Sequence, residues 1–205
     1  MEKKETISIL AFGDSLTCGW SNFGTEHFPY GINLHKLLTE KYPEKNFEIQ
    51  VSGISGQKAF GMPPRMKEEI KEKEYHYVII LAGTNDLSQS YSAEEIFEQI
   101  SSLHEIALKS DSVRKTIAIT IPQAAADSHF KDYLEKKLQI NSLIQKLVDS
   151  NQKIELVDLY SLIPFSSPSE NQKDSLWNDS LHFSSIGYDK MGELIFNVFV
   201  EKIFN

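Results

Sequence analysis

Two stretches of this chain, Tyr77-Val78-Ile79-Ile80-Leu81-Ala82 and the run near 115–121 that contains Ile117, Ala118, Ile119 and Ile121, are almost continuously apolar over the length of a strand. A strand without polar alternation is buried on both faces, the habit of parallel sheets sandwiched between helices rather than of antiparallel sheets with one wet face. Three further runs fit strands near 6–12, 47–52 and 153–159, and helical patterns fill the intervals. Ser92-Ala93-Glu94-Glu95 has the form of a capping box, with Ile96, Ile100, Leu103 and Ala107 following at helical spacing. Tyr133, Ile140, Ile144 and Leu147 make a second stripe. Met191, Leu194, Ile195, Val198 and Phe199 make a third, with Ser184 or Ser185 as its cap. The pattern predicts an α/β fold of three layers, α/β/α, around a five-stranded, mostly parallel sheet. No linker, repeat or shift of composition divides the 205 residues, 40% of them apolar, so residues 1–205 are read as a single domain.

Three residues of note stand where these runs end. Ser15 follows the first, in Gly13-Asp14-Ser15-Leu16; Gly56 follows the second; Asn85 follows the third, in Gly83-Thr84-Asn85-Asp86. All three are thereby placed at carboxyl ends of strands, the edge at which open α/β sheets bind ligands. A serine hydroxyl is nucleophilic only when a neutral imidazole takes its proton, and the imidazole needs a partner for its other nitrogen. Asp179-Ser180-Leu181-His182 supplies both, just before the last helical stripe. An Asp-x-x-His pair arises by chance in roughly one chain in four of this length, so position rather than lettering gives it weight; Asp158 and Asp174 are rival partners for the imidazole. His27, His35, His76, His104 and His129 have no such context and are read as solvated or core residues. Asp14 and Asp86 are read as braces of their own turns.

Charge and cysteine usage narrow the remaining classes. With 21 Lys and Arg against 29 Asp and Glu, the net charge of -8 offers no basic surface to nucleic acid or to an anionic membrane. Cys18 is the single cysteine, which excludes an internal disulfide and a multi-cysteine metal centre. There is no Gly-x-x-x-x-Gly-Lys loop, no His-Glu-x-x-His and no Gly-x-Ser-x-Gly elbow, and no metal or organic cofactor is expected. Met1-Glu2-Lys3-Lys4-Glu5-Thr6 and the six mostly apolar residues after it are too short and too acidic for a secretory signal, and no run is long enough to cross a bilayer. A cytoplasmic location is the expectation; the oligomeric state is open.

Four segments, taken in order, resemble the GDSL-type, or SGNH, family of serine esterases and lipases. They are Ile-Leu-Ala-Phe-Gly-Asp-Ser-Leu-Thr-Cys-Gly at 9–19, Gly53-Ile54-Ser55-Gly56, Gly83-Thr84-Asn85-Asp86 and Asp179-Ser180-Leu181-His182. The run from Phe12 to Trp20 and the pair His182-Phe183 are most similar to the arylesterase-like branch. The resemblance implies a flavodoxin-like, doubly wound sheet of the SGNH-hydrolase type. It implies Ser15 as nucleophile, His182 as base and Asp179 as its orienter, with an oxyanion hole made by the N–H groups of Ser15 and Gly56 and the side-chain amide of Asn85. Where the family often has Gly after the aspartate and Pro after the histidine, this chain has Ser180 and Phe183. The implied activity is hydrolysis of a small-molecule carboxylic ester through an acyl-enzyme. The alternatives are a catalytically idle ligand-binding domain and an acyltransferase that passes the same acyl group to an alcohol. Loops 20–30, 60–64, 87–91, 122–130 and 164–177, rich in aromatics, are the expected pocket walls.

Overall fold

Along β1 (Glu5–Gly13) successive side chains leave opposite faces and both sets are buried: Ile7, Ile9 and Ala11 enter one apolar core, Leu10 and Phe12 the other. The computed structural model, which describes residues 4–165 and 176–204, repeats this in β5 (Tyr77–Leu81), where Tyr77, Ile79 and Leu81 face the first core and Val78 and Ile80 the second. With β4 (Lys45–Gly53), β6 (Lys115–Ile119) and β7 (Ile154–Val157) they form one parallel sheet of order β4-β1-β5-β6-β7. Counting only these five strands, the order is second, first, third, fourth, fifth, the doubly wound flavodoxin-like arrangement whose switch point lies beside β1.

Helices close both faces. The first is covered by α2 (Tyr30–Lys41) and α7 (Ser185–Val198) through Leu34, Leu38, Tyr188, Met191 and Ile195. The second is covered by α3 (Met62–Glu72), α4 (Ala93–Leu108) and α5 (Lys131–Ser150). The capping box forms as the spacing requires, Ser92 Oγ accepting from Glu95 N at 3.1 Å and Glu95 Oε2 accepting from Ser92 N at 2.8 Å. Ser184, not Ser185, caps α7, accepting from Gly187 N at 3.2 Å.

Two strand ends and one added element depart from the sequence reading, the fourth strand stopping at Ile119 rather than near 121. The fifth strand stops at Val157, and Leu159 opens the short helix α6 (Leu159–Leu162), because Tyr160 N turns aside to donate to Thr120 Oγ1 at 3.0 Å. Between Ser15 and α2 a small antiparallel hairpin of β2 (Trp20–Ser21) and β3 (Glu26–His27) stands apart from the main sheet. Among the described residues no helix is long and apolar enough to cross a membrane.

His104, on α4, is 1% exposed; its Nδ1 lies 2.7 Å from Thr116 Oγ1, and its Nε2 has no partner among the described residues. Burial pushes its pKa down from the ordinary 6.5 to about 3. The unfolded chain therefore binds a proton below pH 6.5 that the folded chain refuses until about pH 3, so the contribution of this group is complete above 6.5 and is lost as the pH falls through that window. At roughly 1.4 kcal/mol per pH unit, the loss from pH 7 to pH 5 is about 2 kcal/mol. Urea unfolding of wild type and His104→Gln at both pH values should show the difference between the two proteins moving by that amount in favour of the variant on acidification. A constant difference would contradict a neutral buried imidazole.

Candidate active site

Ser15 sits at the end of β1 as the first residue of α1 (Ser15–Cys18), and it is 4% exposed. Its hydroxyl is free of capping duty because Asp14 takes that role, Oδ1 accepting from Leu16 N at 3.0 Å and the Asp14 carbonyl accepting from Thr17 N and Cys18 N at 3.1 Å. The strand end is crowded: a Cβ on Gly13 would lie 2.4 Å from the Leu81 carbonyl oxygen. The turn that presents Ser15 is thus fixed by close approach of β1 to β5.

The imidazole arrives from the segment before α7. Trp177 pairs with Phe183 in an isolated antiparallel bridge, their rings 4.2 Å apart, and Asn178 N donates to the His182 carbonyl at 2.8 Å. Asp179 Oδ1 accepts from Leu181 N and His182 N at 2.7 Å each, which leaves Oδ2 facing His182 Nδ1 at 2.9 Å. On the far side of the ring, Nε2 lies 3.0 Å from Ser15 Oγ. Burial pushes the Asp179 pKa up, but the N–H groups of His182 and Leu181 and the imidazole itself outweigh it and hold the carboxyl below its ordinary value. Asp179 therefore stays ionised beside the ring. The indole of Trp20 packs on the imidazole, centroids 4.2 Å apart, which fixes the ring from its face.

Gly56 and Asn85 come to the same edge. Gly53, at the end of β4, is in register with Gly13, and Gly56 follows it with φ +76°, where a Cβ would meet nothing within 4 Å. The positive φ selects glycine, and the space beside its Cα is open. Asn85 Nδ2 donates to the Gln57 carbonyl at 3.0 Å and to Asp14 Oδ2 at 3.2 Å, so this amide joins the Gly56 loop to the Ser15 turn. Asp86 Oδ2 accepts from Ala59 N at 2.8 Å and braces the same loop from behind. Asp14 is fully buried, and desolvation raises its pKa to about 7 against the pull of the Leu16 N–H.

The other candidates take structural places. Asp158 accepts from Thr120 Oγ1 at 2.9 Å, bracing β6 against β7. His76 Nδ1 accepts from Ser8 N, and His35 Nε2 lies 3.1 Å from the Phe47 carbonyl. Asp174 and most of loop 164–177 lie outside the described residues. Among the described residues no three His, Cys, Asp or Glu side chains come together in a way that could hold a metal ion.

Two basic side chains unremarked in the sequence reach this edge. Lys137, wholly buried on α5, donates to the Pro122 carbonyl and to Asp127 Oδ1, each at 2.7 Å; Asp127 Oδ2 accepts from Ala124 N, and Ala125 N donates to the Ser180 carbonyl at 2.9 Å. That chain of bonds runs from the core to the His182 segment. Lys137 stands four residues past Tyr133 and three before Ile140, so a charge on the apolar face of the helix was the available signal. Arg65, on α3, makes a comparable set of bonds to the segments around Ser15 and Gly56, and nothing local in the sequence marks it.

The GDSL-like lipase/acylhydrolase family pattern matches residues 11–190. The chain belongs to that family. No curated protein matches the sequence. Among solved structures, the GDSL-family chain is similar to the lipase/acylhydrolase from Enterococcus faecalis, at 22% identity and TM-score 0.73 over 94% of this chain and 95% of that one. It is similar to the aryl esterase of M. smegmatis, at 20% identity and TM-score 0.69 over 96% and 99%, and to a family 3 carbohydrate esterase of Clostridium thermocellum, at 18% and 0.74 over 98% of each chain. At such identities these likenesses speak to the SGNH-hydrolase fold alone.

Proposed function

We propose that this GDSL-family chain is a serine hydrolase of carboxylic esters in which residues 1–205 act as one domain. The observation that carries the reading is the continuous relay from Ser15 Oγ through both nitrogens of His182 to Asp179, with contacts of 3.0 and 2.9 Å. Ser15 Oγ attacks the ester carbonyl while His182 Nε2 takes its proton, and Asp179 holds the Nδ1–H and stabilises the imidazolium. The carbonyl oxygen, now negative, is received by the N–H groups of Ser15 and Gly56 and by the Asn85 amide. A full negative charge competes well for the amide hydrogen now shared with Asp14 across 3.2 Å, the longer of the two Asn85 bonds. Collapse breaks the ester C–O bond, the alcohol leaves with the proton from Nε2, and water activated by the same imidazole releases the acid. The single cysteine, which can form no internal disulfide, supports a cytoplasmic setting.

An organophosphonate tests the nucleophile directly. Intact-mass spectrometry and peptide mapping should find one adduct, on Ser15, formed far more slowly in His182→Ala. An adduct elsewhere, or none on folded protein, would remove the assignment.

A largely apolar hollow of about 410 Å³ begins two residues past Asn85, walled by Leu87, Ser88, Ala126, Phe130 and Tyr133 together with Asp132 and Lys136, and Phe130 is 64% exposed at its rim. Its size and lining suit an aryl or medium-length acyl group. kcat/KM on aryl esters should rise by roughly fourfold per added acyl methylene until the hollow is filled, and Ala126→Trp should reverse that order. An acetate optimum in the wild type would exclude the hollow from substrate binding.

A further inference from the structure

Arg65 uses every N–H of its guanidinium. Nε donates to Gln57 Oε1 at 2.9 Å, Nη1 to the Ser52 carbonyl at 2.9 Å and to Ser52 Oγ at 2.5 Å, and Nη2 to the Gly13 carbonyl at 2.8 Å and to Gln57 Oε1 at 2.6 Å. Its Cζ lies 3.8 Å above the centre of the Phe12 ring. The acceptors are not scattered. Gly13 is two residues before Ser15, Ser52 is the next-to-last residue of β4, and Gln57 follows Gly56 and offers its carbonyl to Asn85. One planar fork therefore ties the Ser15 turn to both ends of the Gly56 loop, and the Gln57 carbonyl carries the connection on to Asn85.

We propose that Arg65 is a positioning residue for ester hydrolysis: it holds the Gly13, Ser52 and Gln57 segments at the spacing that aims the Gly56 N–H and the Asn85 amide at one point. This rests on the reading of Ser15 as nucleophile. The donors of an oxyanion hole act only if they are preorganised, since reorganisation during reaction forfeits their advantage, and displacements well under an ångström are enough to weaken them. Gly56 has positive φ and no side chain to anchor it, so its direction must be imposed by neighbours. Gln57 is that neighbour, gripped twice through its side chain by Arg65 and once through its carbonyl by Asn85. A lysine at 65 would keep the charge but not the fork, being a point donor with three hydrogens against five in a plane.

The test is a kinetic cycle on the full chain with an aryl ester, run with phosphonate labelling of Ser15. Arg65→Lys is expected to lower kcat by roughly 10–100-fold with KM nearly unchanged, as for loss of an interaction realised in the transition state. In the Asn85→Ala background the same substitution should cost at least about threefold less, a departure beyond the roughly twofold scatter of independent sites. A merely structural strut would lower the melting temperature and cost the same in both backgrounds. Gln57→Met, which removes the acceptor of two of the five bonds, gives a second cycle should Arg65→Lys fail to fold, with the same coupling expected. A wild-type kcat in the folded variants, or equal losses in both backgrounds, overturns the proposal while Ser15 is still labelled. Wild-type protein left unlabelled at Ser15 overturns it together with the reading beneath it.

Discussion

Ser15→Ala, His182→Ala and the double variant are expected to lose nearly the same activity, roughly 10⁶-fold in kcat, because a nucleophile without its base and a base without its nucleophile are equally idle. Independent contributions would multiply and make the double variant far worse than either single. Asp179→Asn should cost less, on the order of 10⁴-fold, since it leaves the ring in place but presents the wrong hydrogen-bonding partner to Nδ1. Folding should survive the first change: among the described residues the side-chain partner of Ser15 Oγ is the imidazole, and Asp14, not Ser15, caps the helix. Steady-state kinetics with a circular-dichroism melt on each variant decide the matter. A folded Ser15→Ala protein that retains a tenth of the wild-type rate would end the acyl-enzyme reading.

How much of this could be seen in the sequence follows from what makes each signal local. The parallel sheet was legible because β5 and β6 are apolar on both faces over consecutive residues, and burial of both faces leaves few other arrangements. The hairpin at Trp20–Ser21 and Glu26–His27 was not, since two-residue strands have no period to detect, and the turn takes positive φ at Phe23 as well as at Asn22 and Gly24, which a phenylalanine does not announce. Ser15, Gly56 and Asn85 were legible as residues that end strands, and the register of Gly13 with Gly53 and Leu81 brings those ends together. His182 and Asp179 lie about 165 residues from Ser15 along the chain; only their place before the last helix connected them to it. Arg65 and Lys137 act through long side chains on distant carbonyls, a kind of bond that leaves no trace in spacing. Lys137 at least breaks an apolar stripe, whereas Arg65 sits in a helix whose mean character is polar, where one more charge looks like surface.

Asn85→Ala is expected to lower kcat by roughly 10²–10³-fold, the usual loss for one side-chain donor to an oxyanion, with KM little changed because the bond strengthens only as charge develops. The competing role is visible in the structure: the same amide ties the Gln57 carbonyl to Asp14 Oδ2, so its removal also loosens a loop and strips a buried carboxyl of a donor. The two roles separate by pH as well as by heat. Asp14 is raised to about 7 by burial, so below that pH it is protonated in the folded state and loses little when Asn85 goes. Above it the charge stands with one donor fewer, and the variant should be less stable relative to wild type at pH 8 than at pH 6. A brace alone would make kcat follow that stability difference, recovering at pH 6 as the loop re-forms. An oxyanion donor predicts a deficit in kcat that persists at pH 6 in protein with a near-normal melting temperature. Phosphonylation of Ser15 should slow in parallel, since the phosphonyl oxygen occupies the same position as the carbonyl oxygen. A stable Asn85→Ala protein with near-normal kcat at both pH values would leave the amide as a strut between two loops and the hole with backbone donors only.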